Sequence, residues 1–295
     1  MLPSFEILGR TIPSYGLMVL IGILVAGSFA EYWAKRLGEH AFYMIEVLLI
    51  SSIGVLVGSH LLYALTNLQY AAKITVVELF GGAVFYGGLL GGLSVGFYYV
   101  RRRGYNVALY SDIAAMFIPL FHFFGRVGCY LGGCCYGKEA AWGIPYSSPA
   151  LSETVNRIPV QLIEAFANLF IFAVIHTIFL KAVHAAEDEE KEAEAQAEAL
   201  AQAQTQALAA PADATPTKKK KKNPYRMQGH LLQLYLVLYA IVRFFDEFWR
   251  GDEIRGIWGP FSTSQWISLA ILVWVVIWVI VDAVKAHRQR KAAGA

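Results

Sequence analysis

Seven stretches of this chain are long and apolar enough to cross a bilayer, and that limits its fold before any single residue is considered. They cover roughly 15–34, 44–65, 77–100, 111–129, 161–183, 229–249 and 264–284. A spanning helix needs about 17–25 mainly apolar residues. Inside a bilayer each backbone amide must be satisfied within its own element, which leaves helices or closed barrels, and unbroken runs of this length read as helices. The bulk numbers agree: 57% of the 295 residues are hydrophobic and 16% charged, with a mean hydropathy of +0.47. A soluble domain carries more charge than that. The fold class is therefore all-α, a polytopic integral membrane protein of about seven transmembrane helices.

The net charge of +3 matters less than its placement. Lys35 and Arg36 follow the first stretch and Arg101, Arg102 and Arg103 the third. Lys218 to Lys222 and Arg226 precede the sixth, and Lys285, Arg288, Arg290 and Lys291 follow the seventh. With seven crossings and an external N-terminus, all four groups face the cytoplasm, as the positive-inside bias requires. The first six residues lack a basic n-region and no small-residue cleavage site follows, so no removable leader is expected. The chain divides into helices one to five with an outer-face loop at 130–160 (residues 1–184), a cytoplasmic low-complexity linker (185–224), and helices six and seven with a basic tail (225–295). The linker starts Ala/Glu/Gln-rich with strong helix propensity, then breaks at Pro211, Pro216 and five lysines. It reads as a solvated helix and a tether whose lysines touch anionic headgroups. Neither a Walker-type phosphate loop nor an internal repeat is found, and no nucleic-acid partner is expected.

Charged residues inside spanning helices are costly and mark function. Arg126 lies 15 residues beyond Ser111 and Arg243 lies 14 beyond Gly229, on two stretches that both run outward. At 1.5 Å per residue both stand ~21–23 Å above the inner surface of a ~30 Å core. Tyr86, 14 residues before Val100 on an inward stretch, reaches the same ~21 Å height. Tyr239, Arg243, Glu247 and Arg250 are spaced four, four and three, which puts them on one helix face. Salt bridges from Glu247 to Arg243 and Arg250 would lower the cost of burial, with Asp246 a further partner or an interface residue. His122 shares the Arg126 face as a general base or a packing residue. Glu164, three after Gln161, can orient an arginine or a ligand hydroxyl. Tyr15 reads as an aromatic-belt residue or site neighbour, and His60 as structural. The segment Gly81–Gly92, with Gly87 and Gly88, favours close helix packing, lines a cavity with backbone, or does both.

All three cysteines fall together, at Cys129, Cys134 and Cys135. An odd number excludes a disulfide framework but leaves room for one bridge. The spacing C-x4-C-C is not the paired C-x2-C of zinc sites, and adjacent cysteines coordinate one ion poorly. Small packing residues are the expectation here, with no metal and no cofactor.

Taken together, Tyr15-Gly16-Leu17-Met18, the Gly81–Gly92 segment, Gly125-Arg126-Val127-Gly128 with Gly137, Pro159-Val160-Gln161-Leu162-Ile163-Glu164 and Tyr239–Arg250 resemble, in order and orientation, the prolipoprotein diacylglyceryl transferase family. The likeness spans nearly the whole chain outside 185–224. It implies a transferase of the bacterial cytoplasmic (inner) membrane, acting near the outer leaflet. Such an enzyme moves the diacylglyceryl group of phosphatidylglycerol to the lipobox cysteine of a prolipoprotein, forming a thioether and releasing glycerol phosphate. The partners implied are phosphatidylglycerol, prolipoprotein signal peptides with a lipobox cysteine, and membrane lipids. By the same resemblance Arg126 and Arg243 match the two essential arginines, with Tyr86 and Glu247 beside them in catalysis. Tyr15, Gly87, Gly88, Gly137, Gln161, Glu164, Tyr239 and Arg250 match substrate-binding positions. The chain departs from the best-known members where Tyr86 replaces histidine and where Cys129 and Cys134 replace asparagine and a carboxylate. Those departures keep two alternatives open: a related glyceryl or phosphoglyceryl transferase with another acceptor, and a lipid-binding or transport protein.

Overall fold

The apolar stretches fold as helices because a lipid-facing backbone has no other way to satisfy its amides. The computed structural model describes residues 1–7, 9–40, 42–66, 75, 82, 84–147, 153–207, 229–251 and 257–293. Among these, seven helices form: α1 (Ser14–Arg36), α2 (Tyr43–Thr66), α3 (Phe85–Arg102), α4 (Val107–Gly132), α5 (Val160–Ala207), α6 (His230–Asp246) and α7 (Thr263–Ala293). Five of them, α1, α2, α4, α5 and α7, are long and apolar enough to cross a membrane. The protein is a mostly helical, multi-pass membrane protein.

Two helices are shorter than the sequence suggests. α3 has 18 residues and starts at Phe85 rather than 77; residues 76–81 and 83, and with them Gly81, lie outside the described residues. α6 has 17 residues and stops at Asp246, so Glu247 and Arg250 are not on the helix where the four-four-three spacing placed them. The chain leaves the helix there because its backbone finds other partners. Lys138 N donates to Trp249 O at 2.8 Å, Gly251 N donates to Tyr136 O at 2.9 Å, and Arg250 bridges Gly137 in antiparallel fashion. Long-range pairing of this kind leaves no local trace in the sequence.

Three short hairpins join the helices. They pair β1 (Ser4–Ile7) with β2 (Arg10–Pro13), β3 (Glu139–Tyr146) with β4 (Val155–Arg157), and β5 (Ile257–Trp258) with β6 (Phe261–Ser262), all antiparallel. The last turns through Gly259-Pro260, with Gly259 at φ 62°, as a two-residue hairpin with glycine first requires. It feeds straight into α7 through a reciprocal cap. Ser262 N donates to Gln265 Oε1 at 3.0 Å and Gln265 N to Ser262 Oγ at 3.3 Å.

Backbone contacts group the residues into two units, one of 1–29, 114–176 and 230–295, the other of 30–113 and 177–229. In the second unit α2 and α3 pack through facing glycines. A Cβ added at Gly58 would sit 3.0 Å from Gly91 Cα, and one at Gly91 the same distance from Gly58 Cα. Gly54 and Gly87 meet the opposite backbone in the same way, and a Cβ at Gly88 would lie 3.2 Å from Val55 Cγ1. Gly87 and Gly88 therefore serve helix packing, the first of the two roles open to this segment. Tyr86 is buried in the first turn of α3, and His60 Nδ1 lies 2.8 Å from Gly82 O, a structural tie. Also in this unit, Gly229 N donates to the fully buried Asp112 at 3.1 Å, fixing the start of α6. α5 runs unbroken past residue 184 to Ala207, so the first half of the expected linker is helix. The lysine tract and Arg226 lie outside the described residues.

Candidate active site

The site is built in the first unit from the ends of three helices. Glu164 lies four residues inside α5, Arg126 six residues before the end of α4, and Arg243 three before the end of α6. With ~1.5 Å of rise per residue, each is within about two turns of its helix end. α1 closes on α4 beside them. A Cβ at Gly128 would sit 3.1 Å from Met18 Cβ and 3.2 Å from Tyr15 Cδ2, so the glycine is what lets Tyr15 approach. Tyr15 itself stays 48% exposed.

Both arginines grip one carboxylate. Arg126 Nη2 is 2.8 Å from each oxygen of Glu164. Arg243 Nη1 donates to Glu164 Oε2 at 3.2 Å, and the Tyr239 hydroxyl donates to Oε1 at 3.0 Å. His122 Nε2 stands 3.7 Å from the same oxygen, its ring 5.1 Å from that of Tyr239. Glu164 is 1% exposed, Arg126 9% and Arg243 6%. Charges this deeply buried persist only when paired. Arg243 is also held by Glu247 at 2.8 Å, by Asp246 at 3.3 Å and by the Ser264 hydroxyl at 3.2 Å from the first turn of α7. Arg250, buried as well, stands near Arg243 as a like charge. Arg126 and Arg243 thus share Glu164, and Arg243 also meets the carboxyl groups of Asp246 and Glu247. One donor is left over: Arg126 Nε is buried and makes no hydrogen bond among the described residues.

A tight loop after α4 borders this cluster. Gln161 and Tyr146, both 1% exposed, hold it from either side. Gln161 Nε2 donates to Cys134 O at 2.7 Å, and the Tyr146 hydroxyl donates to it at 3.5 Å. Gln161 is thereby a loop anchor rather than a free side chain in the site. Gly137 is a packing position: a Cβ there would run into the backbone of Ile158, and its carbonyl accepts from Arg157 Nη1 at 3.1 Å. The three cysteines carry free thiols. Cys135 is pulled below the usual thiol range, chiefly by hydrogen bonds from the Cys129 and Cys134 thiols, with Arg126 and Arg250 adding positive charge. Cys134 is pushed up to about 11, because the Cys135 thiol and burial outweigh its bond with Cys129.

The sequence pointed to Arg126, Arg243, Tyr239, Glu247, Glu164 and His122, and the fold brings all six together. Tyr86, Gly87 and Gly88 belong to the other unit. Ser264 and Asn168 were missed. Asn168 Nδ2 donates to the Glu164 backbone carbonyl at 2.8 Å and is fully buried, and an uncharged amide one turn after Glu164 was the only signal.

Comparison with known proteins bears on the same residues. The family model for prolipoprotein diacylglyceryl transferase matches residues 3–197 and 214–281, which include every member of the cluster. The chain belongs to the prolipoprotein diacylglyceryl transferase family. It is 26% identical over 274 residues to the phosphatidylglycerol–prolipoprotein diacylglyceryl transferase of Clostridium tetani, covering 91% of this chain and 92% of the relative. To the second such transferase of Clostridium perfringens it is 27% identical over 288 residues, covering 96% of each. A transferase of the same name from Solidesulfovibrio magneticus is 33% identical over a shorter 159 residues, 51% of this chain and 60% of the relative. Among the transferase family's matched positions, the gap at 198–213 falls in the polar end of α5 and beyond.

Proposed function

We propose that this protein transfers the diacylglyceryl group of phosphatidylglycerol to the lipobox cysteine of prolipoproteins, with Arg126 and Arg243 as the phosphate clamp. The observation that carries the reading is the meeting of two guanidinium groups on one buried anionic position, with Arg126 Nε unspent. The prolipoprotein thiolate attacks the glyceryl carbon that bears the phosphate. A carbon–sulfur bond forms, the carbon–oxygen bond breaks, and its electron pair stays on the phosphate as glycerol phosphate departs. Negative charge thus moves from sulfur to phosphate, where a planar guanidinium pair stabilises it best. Glu164 sets the spacing of the two arginines, Glu247 and Ser264 fix the angle of Arg243, and Tyr239 steadies Glu164. His122, beside Glu164, takes the thiol proton. Tyr86→Phe tests whether Tyr86 takes any part in turnover; if the variant turns over normally, it is a packing residue only.

The seven helices cross the bacterial cytoplasmic membrane with the N-terminus outside, so that the site lies near the outer leaflet. Supporting this, Lys35, Arg36, Arg101 and Arg102 stand in the last turns of α1 and α3, where an inward-running helix meets the cytoplasm. The test is turnover with purified protein, phosphatidylglycerol and a lipobox peptide, followed by mass spectrometry of the thioether and of glycerol phosphate. Arg243→Lys and Arg126→Lys keep the charge but lose the fork, and each should lower turnover by about 3–4 kcal/mol, hundreds-fold. Lipid bound without release of glycerol phosphate would make the protein a lipid carrier instead.

A further inference from the structure

The sequence spacing argued against a metal at the cysteines, because C-x4-C-C is not the paired C-x2-C of zinc sites and adjacent cysteines coordinate one ion poorly. The fold removes that objection. Cys135 has φ 57°, in the left-handed region that side-chain-bearing residues seldom adopt, and Gly133 before it has φ 74°. This double reversal folds the Cys134-Cys135 pair back over the end of α4. Cys134 N donates to Cys129 O at 3.1 Å, closing the turn. The loop is fixed in place by the Gln161 and Tyr146 bonds to Cys134 O. As a result the three sulfur atoms all lie within 4.8 Å of one another.

We propose that Cys129, Cys134 and Cys135 form a three-sulfur site for a single soft metal ion of the copper(I) type. Three thiolates at metal–sulfur bonds of about 2.3 Å around a trigonal ion stand ~4.0 Å apart, so the observed cluster needs to contract by less than an ångström. Thiolate-only coordination selects soft ions. No histidine or carboxylate joins the group among the described residues, which suits an ion content with three ligands over zinc(II), which takes four. A copper(I) ion with three thiolates carries net negative charge, which the Arg126 and Arg250 guanidiniums near Cys135 offset in part. Cys134 is exposed, which gives the ion an entry path, while Cys129 is buried and Cys135 half-buried.

The experiment uses the full chain in detergent, purified without oxygen, and titrates it with copper(I) against bicinchoninate as competing chelator. One equivalent should leave the chelator for the protein, and X-ray absorption of the loaded wild type should report three sulfur neighbours. Cys134→Ser and Cys135→Ser, both in the loop outside the helix, should each weaken binding beyond the roughly 100-fold typical of losing a mere supporting hydrogen bond to a ligand. Zinc(II) should bind more weakly than copper(I). The proposal falls if no copper leaves the chelator, if fewer than three sulfurs surround it, or if both serine variants bind like wild type, an adventitious ion only. It falls equally if the protein purified without oxygen has fewer than three free thiols. None of these readings uses transferase turnover, so they stand or fail apart from the proposed function.

Discussion

Glu164 is the residue on which the site turns, since it is the shared anion of both arginines and the acceptor of the Tyr239 hydroxyl. Replacing it by glutamine keeps shape and removes charge. Arg243 would retain Asp246 and Glu247, but Arg126 would lose the carboxylate that both its described ion-pair contacts reach. Removing one partner from a buried ion pair costs about 3–5 kcal/mol, because the other charge is left uncompensated. Glu164→Gln should therefore lower the thermal midpoint in detergent and abolish transfer, while Glu164→Asp, one methylene short, should do less of both. A glutamine variant as stable and as active as the wild type would remove Glu164 from the centre of the site. The arginines were legible in the sequence because an ionised residue in a spanning helix is expensive wherever it lies. Glu164 carried the same signal, and the sequence read it as a residue able to orient an arginine, as it does. Ser264 carried none, since a serine in a first helical turn is ordinary. The shape of the cysteine loop was not legible either, since spacing alone does not reveal a left-handed φ at Cys135.

Helix-scale features were read with uneven success, and the reason is range. The glycines of the third stretch announced close packing, and α2 and α3 do meet backbone to backbone at Gly54, Gly58, Gly87 and Gly91. Apolar length alone pointed to helices, and seven form among the described residues, five of them long and apolar enough to cross a membrane. The premature end of α6 depends on a partner far along the chain, Gly137 for Arg250, and no local pattern encodes it. The glycine pairing makes a graded prediction. Gly58→Leu drives a side chain into Gly87 and Gly91, and overpacking of this kind costs about 1–3 kcal/mol. Gly125→Ala is the contrast, because a Cβ there meets nothing within 4 Å and lies inside a helix, where alanine is favoured over glycine by up to about 1 kcal/mol. Thermal unfolding in detergent should show the first variant losing stability and the second holding or gaining it. Equal losses would mean that the glycines are not there for close approach.

For the whole molecule, the question is how much of the chain the chemistry needs. α5 is 48 residues long, or ~72 Å, more than twice what a ~30 Å core requires. Its apolar core contacts end near Val183 and Ala186, and from Lys191 to Gln202 every residue is exposed. The family model stops at 197 and resumes at 214, so residues 198–213 fall outside the matched scaffold. Cutting out 198–213 leaves 13 residues of helix beyond His184, about 20 Å, to be retraced to Gly229, which Asp112 holds. The remaining 15 residues, 214–228, reach up to about 50 Å when extended, more than the return requires. The lysine tract stays in place, so the orienting charge is unchanged. The shortened protein should therefore insert, fold and lipidate a prolipoprotein within about twofold of the full chain, because no residue of the arginine–glutamate cluster moves. Conversion of a prolipoprotein to its slower-migrating lipidated form, in cells depleted of their own enzyme, measures this directly. A shortened protein that is inserted and thermally stable yet inactive would give the extension a role in the reaction cycle, as a docking arm for the precursor or its secretion machinery, and the scaffold alone would no longer account for activity.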